Sequence, residues 1–217
     1  MLELFTNTDA FFEKKINEKQ EFKTPIIIIG LVWLAGVFSL ALIFSGFISE
    51  FPSDILYPIL MVAAIALAIG LVGNYFMWVL CSSIFYMISI VFQGKGNFNR
   101  VLEFSSYGFI PYIISTVVSS IYMWRLFLDI DMFSMSGTIG ANDDPSIFFN
   151  QLIFSNIAGT VFIVIFSLAM FGLSAYIWTY GMKYSRNLSL KKALLTVGIP
   201  LAVYVIYETF LFLFFII

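Results

Sequence analysis

The sequence predicts an all-α integral membrane protein, a polytopic bundle of five transmembrane helices with a cytoplasmic N-terminus and an external C-terminus. Three observations predict this fold class. The chain has 217 residues and is 61% hydrophobic but only 11% charged, whereas an ordinary soluble domain is roughly 25% charged. The apolar residues are gathered into five long runs. Nearly all lysines and arginines lie between alternate runs, as they do in loops that stay on the cytoplasmic side.

Each of the five runs is long enough to cross about 30 Å of hydrocarbon, which takes roughly 20 helical residues. The runs predict helices at about residues 26–48, 59–92, 104–124, 147–180 and 193–217. The second and fourth runs are long enough to be either one extended helix or a hairpin of two short ones. Residues 1–25 are predicted to be a separate cytoplasmic segment, and residues 26–217 the transmembrane domain.

The distribution of charge predicts a single crossing for each long run. Lysines at positions 14, 15, 19 and 23 precede the first run, whereas Glu50 and Asp54 follow it. The second run then leads from Asp54 to Lys95 and Arg100, and it is too short to cross three times. The fourth run likewise leads from a loop with four aspartates to a basic loop; the aspartates are Asp129, Asp131, Asp143 and Asp144. Five crossings leave Arg125 as the one basic residue outside.

The stretch "NTDAFFEKKINEKQEF" near the N-terminus is typical of a short amphipathic helix. Thr8 or Asp9 is expected to cap it, and Phe12 and Ile16 share one face. A helix this short is marginal in water, so we expect it to lie on the cytoplasmic leaflet. The alternative is a frayed terminal segment.

Composition also excludes several classes of function. A net charge of −2 argues against binding nucleic acid, which needs clustered lysine and arginine. The chain has no histidine and one cysteine, Cys81, which lies inside an apolar run. Serine–histidine catalysis and histidine-based metal sites are therefore excluded. We predict a protein that is not an enzyme and that carries no metal and no cofactor.

The stretch "GKGNFNR" between the second and third runs has glycines beside a lysine, as phosphate-binding loops do. It lacks the G-x-x-x-x-G-K-[ST] pattern between a strand and a helix that such a loop requires. We predict a tight cytoplasmic turn formed by Gly94, Lys95, Gly96 and Arg100. Gly94 is expected to cap the second helix, and Asn97 or Asn99 the next.

One acid, Glu208, falls inside the last apolar run. A charge at membrane depth costs on the order of 2.5–3.5 kcal/mol, so an intramembrane acid marks a candidate functional site. Asn74 in the second run has a comparable depth and is the candidate partner. We expect Glu208 to point into the bundle toward the second helix, either as a structural hydrogen bond or as part of a transport path.

Three stretches of the chain resemble the Yip family, the Ypt/Rab-interacting membrane proteins and their prokaryotic relatives. They are "TDAFFEKKI", "GKGNFNRVLEFSSYGFIP" and "WTYGMKYSRNLSLKKAL". The family has a G-x-x-P-like element, here Gly108 and Pro111. It also has a tryptophan-led segment that ends in a lysine–alanine pair, here Trp178 and Lys192–Ala193.

The resemblance implies a non-enzymatic adaptor or organiser in the plasma membrane of a prokaryote. Its partners would be the lipid bilayer, other membrane proteins or a second copy of the chain. Eukaryotic members are linked to vesicle traffic through small GTPases. Their long soluble N-terminal region with a "DLYGP"-type motif is missing here, so small-GTPase binding is not carried over. The rival interpretation is a small transporter or channel around Glu208 and Asn74, and a third option is lipid handling by the long helices.

Overall fold

The computed structural model of the chain describes residues 2–45, 53–128 and 156–216. These residues form eight helices. In chain order they are α1 (Leu2–Thr6), α2 (Thr8–Ile16), α3 (Lys23–Ser45), α4 (Ser53–Val91), α5 (Phe98–Tyr107), α6 (Ile110–Leu128), α7 (Ile157–Ser185) and α8 (Leu190–Ile216). The predicted all-α class is confirmed.

Five segments are long and apolar enough to cross a membrane. They are Lys23–Ser45, Leu56–Val91, Phe98–Leu126, Ile157–Ser185 and Leu190–Leu211. The prediction of five such helices is therefore confirmed. Which end of each helix faces the cytoplasm stays a prediction from charge.

The second predicted span is one continuous helix and not a hairpin. α4 has 39 residues, which rise about 58 Å at 1.5 Å per residue. Since the hydrocarbon layer is about 30 Å thick, α4 either tilts or extends beyond it. The fourth predicted span corresponds to α7, which begins at Ile157 with Asn156 as its N-cap. Residues 147–155 lie outside the described residues, and so do the four loop aspartates that precede them.

The third predicted span differs from the structure, which divides it into two helices. α5 ends at Tyr107 and α6 begins at Ile110, with a turn at Gly108 and Phe109 between them. Pro111 explains the break because it has no N–H to donate to the carbonyl of Tyr107 four residues earlier. A proline is tolerated in the first turn of α6, where that N–H is not needed.

The N-terminal segment forms two short helices, and the cap differs from the expectation. Asn7, not Thr8 or Asp9, caps α2: its side chain accepts a hydrogen bond from the Ala10 amide at 3.2 Å. The expected apolar face is present, but protein covers it. Leu4 and Phe12 are fully buried among residues of α3, α5, α6 and α7.

The buried side chains of the bundle are concentrated at one end. One cluster joins α4, α5, α7 and α8 around Phe85, Val101 and Trp178. The other joins α1, α2, α3, α5 and α7 around Phe12 and Phe104. Away from this end, the helices expose apolar side chains, as they would to lipid. The fold therefore brings the N-terminal helices and the turns after α4 and α7 together.

Candidate functional site

The three stretches that carry the family resemblance meet at this end of the bundle. The first is α2, the second contains the turn after α4 together with α5, and the third contains the end of α7 and the start of α8. α2 and α5 both pack against α7. We call the assembly of residues 8–16, 94–111 and 178–194 the junction. Its existence as one site was not predicted, since the sequence places the three stretches far apart.

Within the junction, aromatic contacts hold α2 against α5. The ring centroid of Phe12 lies 5.0 Å from that of Phe104 and 5.9 Å from that of Tyr107. Phe11 adds an edge-to-face contact with Tyr107 at 5.2 Å. Full burial of a phenylalanine contributes about 1.5–3 kcal/mol, so Phe12 supplies a large part of the free energy that keeps α2 docked.

Trp178 and Gly108, which the sequence analysis named separately, form one contact. The indole N–H of Trp178 donates to the carbonyl of Ser105 at 2.7 Å. The same ring lies on the α-carbon of Gly108, where an added Cβ would fall 2.1 Å from the indole nitrogen. Position 108 therefore admits only glycine while Trp178 keeps its place. Phe85 and Phe109 pack edge-on against the indole, at 5.5 and 5.3 Å.

Arg186 closes the turn that contains "GKGNFNR", and the sequence analysis missed this role. Its guanidinium donates to the carbonyls of Gly94 and Gly96 and to the hydroxyl of Ser89. It also stacks over the ring of Tyr86 at 4.3 Å. Arg186 is almost fully buried. Its position between two helices, in "KYSRN", is the only sequence signal, and it indicates no particular partner.

The geometry of this turn opposes phosphate binding. The amide of Gly94 donates to the carbonyl of Ser89 at 2.8 Å, and that of Lys95 to the carbonyl of Arg186 at 2.7 Å. A phosphate loop needs such N–H groups free. The Lys95 side chain is exposed and makes no hydrogen bond or ion pair within the described part of the chain.

The capping expected of Gly94 is replaced by another arrangement. The left-handed residue after α4 is Gln93, with φ of 62°, while Gly96 has φ of 131°. A Cβ at Gly96 would lie 2.3 Å from the carbonyl oxygen of Ser185, so Gly96 permits the close approach of the two turns. Asn97 caps α5 through a hydrogen bond from the Arg100 amide at 2.9 Å, one of the two caps foreseen.

Arg100 ties α5 to the end of α2. Its guanidinium donates to the carbonyls of Ile16 and Glu18. The last carbonyls of a helix have no partner within the helix, and α2 ends at Ile16. Arg100 also pairs with the fully buried Glu103 at 2.6 Å. The other carboxylate oxygen of Glu103 has no hydrogen-bond partner among the described residues.

An ion pair ties the start of α2 to the end of α7. The Lys183 ammonium donates to the carboxylate of Asp9 at 2.5 Å, and the hydroxyl of Tyr184 donates to the same oxygen at 2.9 Å. The hydrogen bond from Lys183 holds the pKa of Asp9 below its usual value. Because the side chains of Asp9 and Lys183 are 46% and 27% exposed, this pair is a secondary anchor beside Phe12.

Lys192 and Ala193 connect the start of α8 to the rest of the junction. The Lys192 ammonium donates to the carbonyl of Phe92, just after α4, at 3.2 Å. Ala193 is fully buried in the cluster around Trp178. Pro111, as described above, begins α6. Each residue that the family resemblance singled out therefore has a structural role in or beside the junction.

The hydrogen bond predicted between Glu208 and Asn74 is not formed in the described structure. Asn74 is partly buried, and its amide donates to the carbonyl of Gly70 in its own helix at 2.9 Å. The expectation that Glu208 points into the bundle is not met, because its side chain is exposed on α8. No hydrogen bond joins the two residues in the described parts of the chain. The hydrogen bond of Asn74 is therefore made within α4 and not to α8.

The described residues also contain no group of three or more histidine, cysteine, aspartate or glutamate side chains placed to hold a metal ion. Cys81 is partly buried within α4, and the chain has no histidine that could activate it. Asp9, Arg100, Glu103, Lys183, Arg186 and Lys192 of the junction bind one another or backbone carbonyls. The arrangement is suited to holding segments of the chain together.

Comparison with known proteins indicates the same family as the three motif-bearing stretches do. The family model described as the Yip1 domain matches residues 2–211. An uncharacterized protein of the archaeon Methanocaldococcus jannaschii is 28% identical over 125 residues, which cover 55% of this chain and 84% of that protein. No solved structure matches the chain. Since the family model spans nearly all of the sequence, the chain belongs to the Yip1 domain family, as a membrane protein of the prokaryotic type.

Proposed function

We propose that this protein is a non-enzymatic adaptor of a prokaryotic plasma membrane, with the junction on the cytoplasmic side. The observation that carries the proposal is the docking of α1 and α2 on the membrane helices through Phe12, Arg100 and Asp9. Because helices this short have little stability alone, these contacts hold the pair in one position. The docked pair presents a defined surface next to the membrane.

The outward face of α2 and the residues that follow it supply this surface. Glu13, Lys14, Glu18 and Lys19 are exposed there, while the opposite face is buried. Mixed charges of both signs suit a protein partner more than nucleic acid, which needs a basic face. The polar rim around a small docked helix is typical of the outer part of a protein interface.

The charges at this end support a cytoplasmic location. Ten of the eleven lysines and arginines belong to the junction, to its flanking turns or to the segment from α2 to the start of α3. The positive-inside rule assigns such an end to the cytoplasm. A cysteine at Asn97 in a chain without Cys81 should resist an impermeant thiol reagent added outside cells, and a cysteine at Ser53 should react. Labelling at Asn97 from outside would contradict the orientation.

The adaptor role is tested by a photo-crosslinking residue placed at Glu13 in native membranes. We expect one crosslinked adduct of a single mass, because a defined partner covers that face. The amount of this adduct should reach a plateau as the expression level of the protein is raised. The matched control is the same residue at Ile69, which is exposed in the middle of α4. That position should give no such adduct.

A second arm of the experiment separates the adaptor from the rival transporter. Purified protein in liposomes should show no solute flux beyond that of empty vesicles. The adaptor proposal fails if position 13 gives no protein adduct and the liposomes show a pH-dependent flux that Glu208→Gln abolishes. No hydrogen bond joins Asn74 and Glu208 in the described residues, so this pair adds no support to the transporter alternative.

A further inference from the structure

A groove of about 510 Å³ runs between α7 and α8 on the outer surface of the bundle. Its floor and walls are made by Gly172, Ala175 and Gly198 with apolar side chains such as Leu194. The volume is within the roughly 300–1,000 Å³ typical of sites for small molecules. The groove begins at the junction and follows the two helices into the part of the bundle that is predicted to lie in lipid.

Two glycines leave this groove open. A Cβ at Gly172 or at Gly198 would meet no atom within 4 Å beyond its chain neighbours and the backbone of its own helix turn. Glycines in membrane helices commonly let two backbones approach closely, but here α7 and α8 leave a gap at both positions. Apolar walls without partner atoms lose dispersion contacts, so an occupant with an apolar chain stabilises this arrangement.

The end of the groove nearest the junction is polar and basic. Lys191 lies on the wall formed by α8, is exposed, and makes no hydrogen bond or ion pair with any described residue. The tyrosines Tyr176 and Tyr180 form the facing wall, with ring centroids 4.9 Å apart. Lysine and tyrosine at the end of an apolar membrane groove match the level of lipid head groups. The first turn of α8 adds the positive end of a helix dipole.

We propose that this groove binds one anionic phospholipid, with an acyl chain between Gly172 and Gly198 and the phosphodiester head group at Lys191. The apolar lining of the groove suits an acyl chain, and the ammonium of Lys191, which has no partner among the described residues, complements the negative head group. Basic pockets between membrane helices on the cytoplasmic side are known to hold anionic head groups. The proposal does not depend on the adaptor role, since it rests only on the groove and Lys191.

The test counts the lipids retained by the purified full-length protein in native mass spectra during titration with phosphatidylglycerol. We expect one saturable phosphatidylglycerol and much weaker retention of phosphatidylcholine. Lys191→Gln should lower the affinity for phosphatidylglycerol about five-fold, the effect of one basic residue at a lipid surface. Lys23→Gln, which removes an exposed charge at the start of α3, should leave it unchanged.

A second pair of variants tests the groove itself. Gly172→Leu and Gly198→Leu should fill it and abolish specific retention, while Gly36→Leu, at another exposed glycine with open space around it, should not. The proposal is overturned if phosphatidylcholine is retained as well as phosphatidylglycerol, or if Lys191→Gln and Lys23→Gln behave alike. Should a leucine variant fail to fold, the lysine pair alone decides the outcome.

Discussion

The junction and the lipid-facing half of α4 differ in how far their side chains are buried and in which contacts they make. In the junction, Phe12, Val101 and Phe104 are fully buried, and charged side chains bind backbone carbonyls across more than 80 residues of sequence. Along the middle of α4, Ile69 and Val72 are 67% and 70% exposed. Lipid solvates those apolar residues as well as protein would. The difference indicates that the identity of individual residues matters at the junction, whereas only apolar character matters along the spans.

The largest difference between the two regions is expected from glycine substitutions. Gly108→Ala in the junction places a methyl group against the Trp178 indole. The ring must move and lose its hydrogen bond to Ser105, at a cost of about 3 kcal/mol. Gly36→Ala on α3 meets open space and should be neutral or slightly stabilising. Thermal unfolding in detergent measures the stability of both variants. Equal melting temperatures for the two variants would contradict the expected difference between the junction and the spans.

A somewhat smaller effect is expected at the turn held by Arg186. Arg186→Gln leaves the carbonyls of Gly94 and Gly96 without their charged donor, and we expect a loss of about 2–3 kcal/mol of unfolding free energy. Protease cleavage between α4 and α5 should also become faster. Lys95→Ala in the same turn is the control and should change neither measurement. Saturable nucleotide binding that Lys95→Ala abolishes would show that this turn has another function.

A local effect is expected at Asp9, whose pair with Lys183 is partly exposed. The folded-state pKa of Asp9 lies below its usual value of 3.8. The stabilisation of docked α2 is therefore complete well above pH 3.8 and disappears as the pH falls through the lower, folded-state value. For a partly exposed pair we expect about 0.2–1 kcal/mol.

The mobility of a nitroxide at the exposed Glu13 reports this loosening. It should rise on acidification in the otherwise unchanged protein. In Asp9→Asn it should be raised already at neutral pH and change less on acidification. The assignment to Asp9 fails if both proteins respond to pH in the same way.

The smallest effect is expected at Glu208. Because its side chain is exposed and makes no hydrogen bond to Asn74 in the described residues, Glu208→Gln and Glu208→Leu should each change the unfolding free energy by less than about 0.5 kcal/mol. A double-mutant cycle with Asn74→Leu should find no coupling. A coupling above about 1 kcal/mol would restore the pairing that the sequence suggested.

The sequence predicted those features that depend on composition and short-range pattern. Hydropathy predicted five spanning helices, and the side chain of Asn97 caps α5 as its position suggested. The break between α5 and α6 was missed although Pro111 was noted, because a proline near the start of a helix and one inside a span have the same local signature. The cap at Asn7 was missed because Asn7, Thr8 and Asp9 are all good capping residues.

The contacts of the junction could not be predicted in the same way. Arg186 bonds to Gly94, and Trp178 lies on Gly108, across about 70–90 residues. No periodicity encodes such a pairing, since it arises only when α4, α5 and α7 have packed. Glu208 is the converse case. The sequence predicted its position along the last helix, but the direction of its side chain depends on the rotation of α8 about its axis when α8 packs against its neighbours.

Amide hydrogen exchange of α2 in the full-length protein in nanodiscs tests the central claim most directly. A free helix of nine residues exchanges nearly as fast as an unfolded peptide. If α2 is docked through Phe12, its amides should exchange as slowly as those of α5. Phe12→Ala should release α1 and α2 while α3 to α8 keep their protection. Rapid exchange of α2 in the unaltered protein would contradict the account of a docked N-terminal surface.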